Sequence, residues 1–351
     1  MAGLAFLLLG AEALVRGASR LAALLGLSPL IIGLTVVAFG TSAPELAVSV
    51  DAALSGQGGI AVGNVVGSNI VNVLFILGLA ALIVPLTVDR QLIRLDVPLM
   101  IALSALVWLL SLDTRIGRTD GLLLVAGLLA YVGFLIWQGR REPEQDEALR
   151  GDERPTQRHW LWDAVWVAGG LALLVLGSRW LVGSAVSFAQ QLGVSEAVIG
   201  LTVVAAGTSM PEVVTSIVAA VRGQRDIAVG NVVGSNVFNL MGVLGVASLV
   251  GPGGIGVPAS VVNFDLPVMG VVAFSCLPIF FTGGVISRAE GALFLAYYVG
   301  YTLYLILDAT GHDALPQFSA ALASFALPLT LLTLLLLATR EARRRTSNPA
   351  S

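Results

Sequence analysis

Two stretches of this chain are near copies of two others. SPLIIGLTVVAFGTSAPEL at 28–46 matches SEAVIGLTVVAAGTSMPEV at 195–213, and GQGGIAVGNVVGSNIVNVLFILG at 56–78 matches GQRDIAVGNVVGSNVFNLMGVLG at 223–245. A single offset of 167 residues aligns both pairs without a gap. Whatever the chain folds into must therefore accommodate the same local structure twice.

The surroundings of the repeats decide the fold class. The chain of 351 residues is 56% hydrophobic and 12% charged, with a mean hydropathy of +0.90, which excludes an ordinary soluble surface. Apolar segments near the helical spanning length of roughly 20 residues recur throughout, and the alternating ten-residue strands of a barrel do not. The reading is an all-α polytopic membrane protein with spans at 1–24, 29–54, 60–84, 95–112, 119–138, 161–190, 196–221, 227–250, 262–282, 289–308 and 315–338. Met1 to Ala13 lacks the positive start of a signal peptide, so it counts as part of the first span.

Equivalent helices of the two copies are separated by five spans, an odd number, so the copies are inserted with opposite orientation. Such an inverted repeat is common among secondary transporters. The organisation expected is a first five-helix repeat over 1–138, a cytoplasmic linker over 139–160, a second, inverted repeat over 161–308, an additional helix at 315–338 and a basic tail over 339–351. All nineteen basic residues are arginine. With the N-terminus outside, Arg16, Arg20, Arg90, Arg94, the linker arginines, Arg222, Arg225, Arg288 and the tail arginines fall on the cytoplasmic side of a plasma membrane. Arg115 and Arg118 oppose this orientation. The apolar run before Gly10 is shorter than the run 161–176 before its equivalent Gly177, which predicts a native start upstream of Met1.

The repeated motif carries the chemistry. Pro44 and Pro211 each lack an N–H inside an apolar helix, which should kink the helix and free carbonyls around Ala38 to Thr41. Within a bilayer such carbonyls persist only where protein, water or an ion satisfies them. Gly40 should let another backbone approach. Glu45 and Glu212 add carboxylates, whose insertion costs roughly 2.5–3.5 kcal/mol at mid-helix, so a functional reading outweighs a structural one. The second motif, GNVVGSN with a further Asn three residues on, contributes Ser68, Asn72, Ser235 and Asn239. Its glycines Gly63, Gly67, Gly230 and Gly234 read as helix packing. Asp51, Asp96, Asp265 and Glu290 read as solvated at span ends. Two inverted copies bring Glu45 and Glu212 together near the midplane among oxygens, an environment suited to calcium. Soft metals are disfavoured, because Cys276 is alone and His159 and His312 are isolated.

These motifs resemble the cation/calcium exchanger superfamily, specifically its prokaryotic sodium/calcium exchanger type, over about residues 1–308. The resemblance implies a ten-helix inverted-repeat core of five plus five helices, here with an extra C-terminal transmembrane helix, and a sliding two-helix unit giving alternating access. It also implies site roles. Glu45 and Glu212 would be shared calcium and sodium ligands, joined by backbone oxygens of Thr41 and Thr208. Ser42, Ser68 and the Ala38 carbonyl would line one flanking sodium site; Ser209, Ser235 and the Ala205 carbonyl would line the other. Asn72 and Asn239 would complete the centre. Many relatives carry an acidic residue at one of these two asparagine positions; two carboxylates instead of three argue against potassium co-transport.

The function expected is a secondary antiporter exchanging sodium for calcium, with about three sodium ions per calcium implied by the resemblance and hence an electrogenic cycle. Calcium/proton antiport, a passive cation channel and an intramembrane protease are the alternatives. No resident cofactor or nucleic acid is expected and the sequence points to no particular protein partner; calcium and sodium are cargo and the lipid bilayer is the surroundings.

Overall fold

The computed structural model describes residues 2–141, 160–191, 205–322, 324 and 339. The chain is helical nearly throughout. In order come α1 (Ala2–Leu25), α2 (Pro29–Thr41), α3 (Ala43–Leu54), α4 (Gly58–Ile83), β1 (Leu86–Thr87), α5 (Leu92–Leu110), β2 (Arg115–Ile116) and α6 (Arg118–Arg141). After the linker come α7 (Trp160–Gln191), α8 (Ala205–Thr208), α9 (Met210–Val221), α10 (Arg225–Val250), β3 (Ile255–Gly256), α11 (Val261–Phe281), β4 (Val285–Ile286), α12 (Arg288–Ala309) and α13 (Leu315–Ala321). Among the described residues eight helices are long and apolar enough to cross a membrane, and the bent pair α2 and α3 makes a ninth. Most of the linker, the first part of the expected span 196–221, and most of the expected spans and tail beyond 322 lie outside the described residues.

Burial sorts the helices. In α4 and α10, 72% and 89% of the most apolar stretch is buried, against 6% in α12, so the two GNVVGSN helices form the centre and α12 faces outward. Proline shapes α5 and α11. Pro98 and Pro267 cannot donate to the helix ladder, and each follows a π-helical turn, Leu92–Asp96 and Val261–Asp265. There the N–H groups of Val97 and Leu266 reach back five residues, to the carbonyls of Leu92 and Val261. The widened turn makes room for the ring that a regular helix would reject.

The short strands pair crosswise. β1 pairs antiparallel with β4 (Leu86 opposite Ile286), and β2 with β3 (Arg115 opposite Gly256). Val88 N–H donates to the Gly284 carbonyl at 2.9 Å, and Val257 N–H to the Thr114 carbonyl at 2.8 Å. Since β1 and β2 are separated by the span α5, the two pairs lie at opposite ends of the helices.

α1 and α7 run antiparallel with their backbones almost touching. A Cβ added at Gly10 would sit 2.8 Å from the Gly170 carbonyl oxygen, and one at Gly3 would sit 2.9 Å from that of Gly177. Small residues permit this approach, which in lipid supplies the packing that hydrophobicity cannot. Towards the repeated motifs, Ser178 of α7 donates to the Gly207 carbonyl at 2.7 Å. Glu12 of α1 pairs with Arg16 at 2.6 Å and also with Arg222, at the end of α9.

Several sequence expectations change here. The neighbour that needs Gly40 small is a side chain, Leu171 of α7, 2.5 Å from where a Cβ would stand. Packing holds for Gly230 and Gly234, which lie against the backbones of Leu30 and Leu34, whereas Gly63 and Gly67 meet nothing within 4 Å among the described residues. Asp96 is not solvated: it is fully buried and accepts from the Tyr131 hydroxyl at 2.7 Å. Its counterpart Asp265 accepts from Tyr301 at 2.9 Å. Glu290 closes a capping box with Ser287 at the start of α12.

Candidate cation site

The bend that sequence places at Pro44 is present: α2 and α3 meet at 46°. Pro44 stands in the first turn of α3, where a missing N–H is harmless, and it leaves the Gly40 carbonyl without its usual donor. The freed region is narrower than expected, because the Ala38 carbonyl still accepts from Ser42 N–H at 3.1 Å. Beyond the bend, Glu45 lies in the first turn of α3 and Glu212 in the first turn of α9. Both carboxylates therefore start a helix inside the protein, where helix N-termini favour negative charge.

The two acids are buried together and interact electrostatically. Glu45, Glu212, Thr41, Ser42, Ser68, Asn72, Ser209, Ser235 and Asn239 are each at most 1% exposed, so nothing here reaches bulk lipid or water. Thr208 is half-buried, and the side chain of Ala205 lies outside the description.

Three of the pairs of equivalent residues recur as reciprocal bonds between the halves. Ser42 Oγ donates to Glu212 Oε1 and Ser209 Oγ to Glu45 Oε1, both at 3.1 Å. Thr41 Oγ1 donates to Asn231 Oδ1 at 3.1 Å, and Thr208 Oγ1 to Asn64 Oδ1 at 3.4 Å. Asn72 Nδ2 donates to Asn236 Oδ1 at 2.9 Å, and Asn239 Nδ2 to Asn69 Oδ1 at 3.1 Å. Each half thus completes the other half's polar groups.

The serines are grouped otherwise than expected. Ser68 meets Ser209 (3.2 Å) and Glu45 (3.5 Å), so one flank joins Ser68 with Ser209 instead of with Ser42. Ser42 belongs with Glu212 across the interface. The reason is that the motif of each half faces the central helix of the other. Motif spacing shows what lies on one helix face and is silent about which copy that face meets.

Sequence reasoning also passed over residues that the structure makes central: Asn64, Asn69, Asn231 and Asn236, with Ser49 and Ser216. Asn64 Nδ2 donates to Ser49 Oγ at 2.9 Å and to the Glu45 carbonyl at 3.1 Å; Asn231 Nδ2 donates to Ser216 Oγ at 3.0 Å. The signal was available, since each amide stands unchanged in both copies of an otherwise apolar helix.

What these groups lack defines their chemistry. Among the described residues, Glu45 Oε2, Glu212 Oε2, Asn72 Oδ1 and Asn239 Oδ1 are buried acceptors without a hydrogen-bond partner, as is Ser235 Oγ. An unsatisfied buried acceptor costs about 1–3 kcal/mol, and more when charged. Four of these oxygens form two symmetry-equivalent pairs, so a random packing defect is a poor account. A cation is the kind of partner that acceptors alone can take. Hard, oxygen-seeking ions fit, and among the described residues no group of three or more His, Cys, Asp or Glu offers an alternative metal centre.

The model of the sodium/calcium exchanger protein family matches residues 1–137 and 162–307, covering both halves and both carboxylates. The chain belongs to the sodium/calcium exchanger family. It is a sodium/calcium antiporter of the membrane. This exchanger is 33% identical over 345 residues to the sodium/calcium exchanger MaX1 of Methanosarcina acetivorans, covering 86% of this chain and 96% of that one. It is 39% identical over 255 residues to the inner membrane protein YrbG of Escherichia coli, covering 72% and 78%. Among solved structures, the sodium-calcium exchanger NCX_Mj superposes with a TM-score of 0.74 at 31% identity, covering 85% of this chain and 94% of that one.

Proposed function

We propose that Glu45 and Glu212 form one cation site used in turn by calcium and sodium, exposed alternately to the two sides of the membrane. The observation that carries this reading is the set of donorless oxygens, Oε2 of both glutamates and Oδ1 of Asn72 and Asn239. Calcium takes six to eight oxygens, and two carboxylates balance its charge. The backbone oxygens of Thr41 and Thr208, each at the end of the helix that precedes a glutamate's own, complete its shell. Sodium, with one charge, takes the flanks: Ser68, Ser209, Glu45 and the Ala205 carbonyl on one, Ser42, Ser235, Glu212 and the Ala38 carbonyl on the other. Both ions need the same carboxylates, so binding of one requires departure of the other, and exchange is obligatory.

The wider arrangement in this reading is a five-plus-five inverted repeat with an additional C-terminal helix in the plasma membrane. The N-terminus lies outside, and the linker and arginine-rich tail lie in the cytoplasm, following the arginine distribution. No resident cofactor is required; the ions are cargo. Calcium uptake into sodium-loaded proteoliposomes tests the reading. Uptake is expected to collapse when the sodium gradient is removed and to be lost in Glu45→Gln and Glu212→Gln. Uptake driven equally well by a pH gradient without sodium would overturn sodium coupling.

A further inference from the structure

Two buried asparagines have no role in that site: Asn69 of α4 and Asn236 of α10, each 2% exposed. They stand three residues before Asn72 and Asn239, and each is bonded to the other half's ligand candidate. Asn69 Oδ1 accepts from Asn239 Nδ2 at 3.1 Å, and Asn236 Oδ1 accepts from Asn72 Nδ2 at 2.9 Å. Their own amide groups are held in turn. Asn69 Nδ2 donates to the Asn236 backbone carbonyl at 3.3 Å and lies 3.8 Å from Met269 Sδ. Asn236 Nδ2 donates to the Asn69 backbone carbonyl at 3.4 Å and lies 3.3 Å from Met100 Sδ.

An asparagine side chain has one end that binds a cation and one that repels it. Which end faces an ion depends on what holds the other. The backbone carbonyls and thioethers around Asn69 and Asn236 are acceptors only, so each Nδ2 must turn towards them and each Oδ1 away. That leaves two fixed acceptors, and Asn239 and Asn72 can meet them only with their Nδ2 groups. Their Oδ1 atoms are then the ends left over, and both stand among the buried oxygens without a donor.

We propose that Asn69 and Asn236 are positioning residues that fix the amide polarity of Asn239 and Asn72, each from the opposite half, so that both present a carbonyl oxygen to the cation. The inference rests on the shared-site reading above. It also accounts for the neutral centre. A carboxylate at position 72 or 239 would set an acidic oxygen against the fixed Oδ1 of Asn236 or Asn69, so the network keeps the charge of the site at its two glutamates.

A double-mutant cycle tests this on the full-length protein in sodium-loaded proteoliposomes, reading the calcium concentration for half-maximal uptake. Asn69→Ala and Asn239→Ala are each expected to raise it about tenfold, equivalent to about 1.4 kcal/mol, with maximal uptake changed less than about twofold. Combined, they should be no worse than Asn239→Ala alone, because the oriented ligand is already gone. Combined with Asn72→Ala, in contrast, Asn69→Ala should multiply to about a hundredfold, since it acts on the other arm. Asn236→Ala gives the mirror pattern through Asn72, and Asn69→Ser is the milder variant should alanine impair folding, which thermal melting in detergent reports. If Asn69→Ala multiplies equally with Asn239→Ala and Asn72→Ala, its role is general packing and the proposal fails. If Asn239→Ala leaves calcium dependence unchanged, the shared-site reading itself fails at Asn239.

Discussion

The first and second halves of the molecule agree at the centre and part company away from it. Around the two glutamates most bonds of one half are answered by their equivalents, Ser42 to Glu212 by Ser209 to Glu45 and Thr41 to Asn231 by Thr208 to Asn64, the exception being the Ser68 and Ser235 pair. Further out the correspondence lapses. Glu12 pairs with Arg16 and Arg222, whereas the equivalent positions hold Arg179, Gly183 and Ser55, which cannot form an ion pair. The left-handed residue before the strand pairing is Thr114 in one half (φ 63°) and Gly284 in the other (φ 64°). In the proposed site, such matching would offer similar groups to an ion from either side. The unmatched periphery is where the molecule can tell its two sides apart.

The strongest test of the matched centre is neutralisation of either acid. Glu45→Gln and Glu212→Gln should each lower calcium uptake roughly 100-fold or more, and by similar factors, because each removes one of two charges facing the same ion. A large difference between the two variants, in uptake by sodium-loaded proteoliposomes, would break the equivalence.

The flanks should differ measurably. Ser209 Oγ touches both Glu45 and Ser68, while Ser42 Oγ bonds Glu212 and the Ser235 hydroxyl has no partner. Ser209→Ala therefore loses a bond to a charged group and one to a hydroxyl, and should raise the sodium concentration for half-maximal exchange about tenfold. Ser42→Ala should raise it about threefold. Equal effects in a sodium titration would mean that the flanks are equivalent in solution.

At the periphery, Glu12→Gln removes an ion pair that one half alone can make. Partly exposed pairs are worth about 0.2–1 kcal/mol, so calcium half-saturation should shift by less than about fivefold, in opposite directions in right-side-out and inverted vesicles. A shift of the same sign on both sides would assign Glu12 to general stability. The smallest effect concerns Thr114, a β-branched residue at positive φ. Thr114→Gly should stabilise the protein by about 1 kcal/mol and Gly284→Thr should destabilise it by a similar amount, read by thermal melting in detergent, with transport unchanged.

The same division separates what could be read from sequence and what could not. The class of fold, the repeat, the bend at Pro44 and the burial of Glu45, Glu212, Asn72 and Asn239 are legible, because proline, intramembrane carboxylates and duplicated polar residues each have a local physical cost that demands an explanation. The partners were hidden. Spacing places Ser42 and Ser68 in one half, and only the crossing of the halves reveals that Ser68 meets Ser209. Asp96 lay near a span end and read as solvated, because nothing in its neighbourhood announces that Tyr131, on the next helix, reaches it. Gly40 is small for Leu171 and not for a backbone, a distinction that depends on tertiary packing. The eleventh expected span falls largely beyond the described residues.

The crosswise strands constrain how this protein can move. β1 is fastened to β4 at one rim and β2 to β3 at the other, so each half is clasped to its partner at both faces. A jaw-like opening of the halves would have to unzip one clasp at every turn of the cycle. Neither clasp involves α1 or α7, whose glycine seam at Gly3, Gly10, Gly170 and Gly177 sets the two helices directly against each other, so a movement of that pair would break no strand pairing.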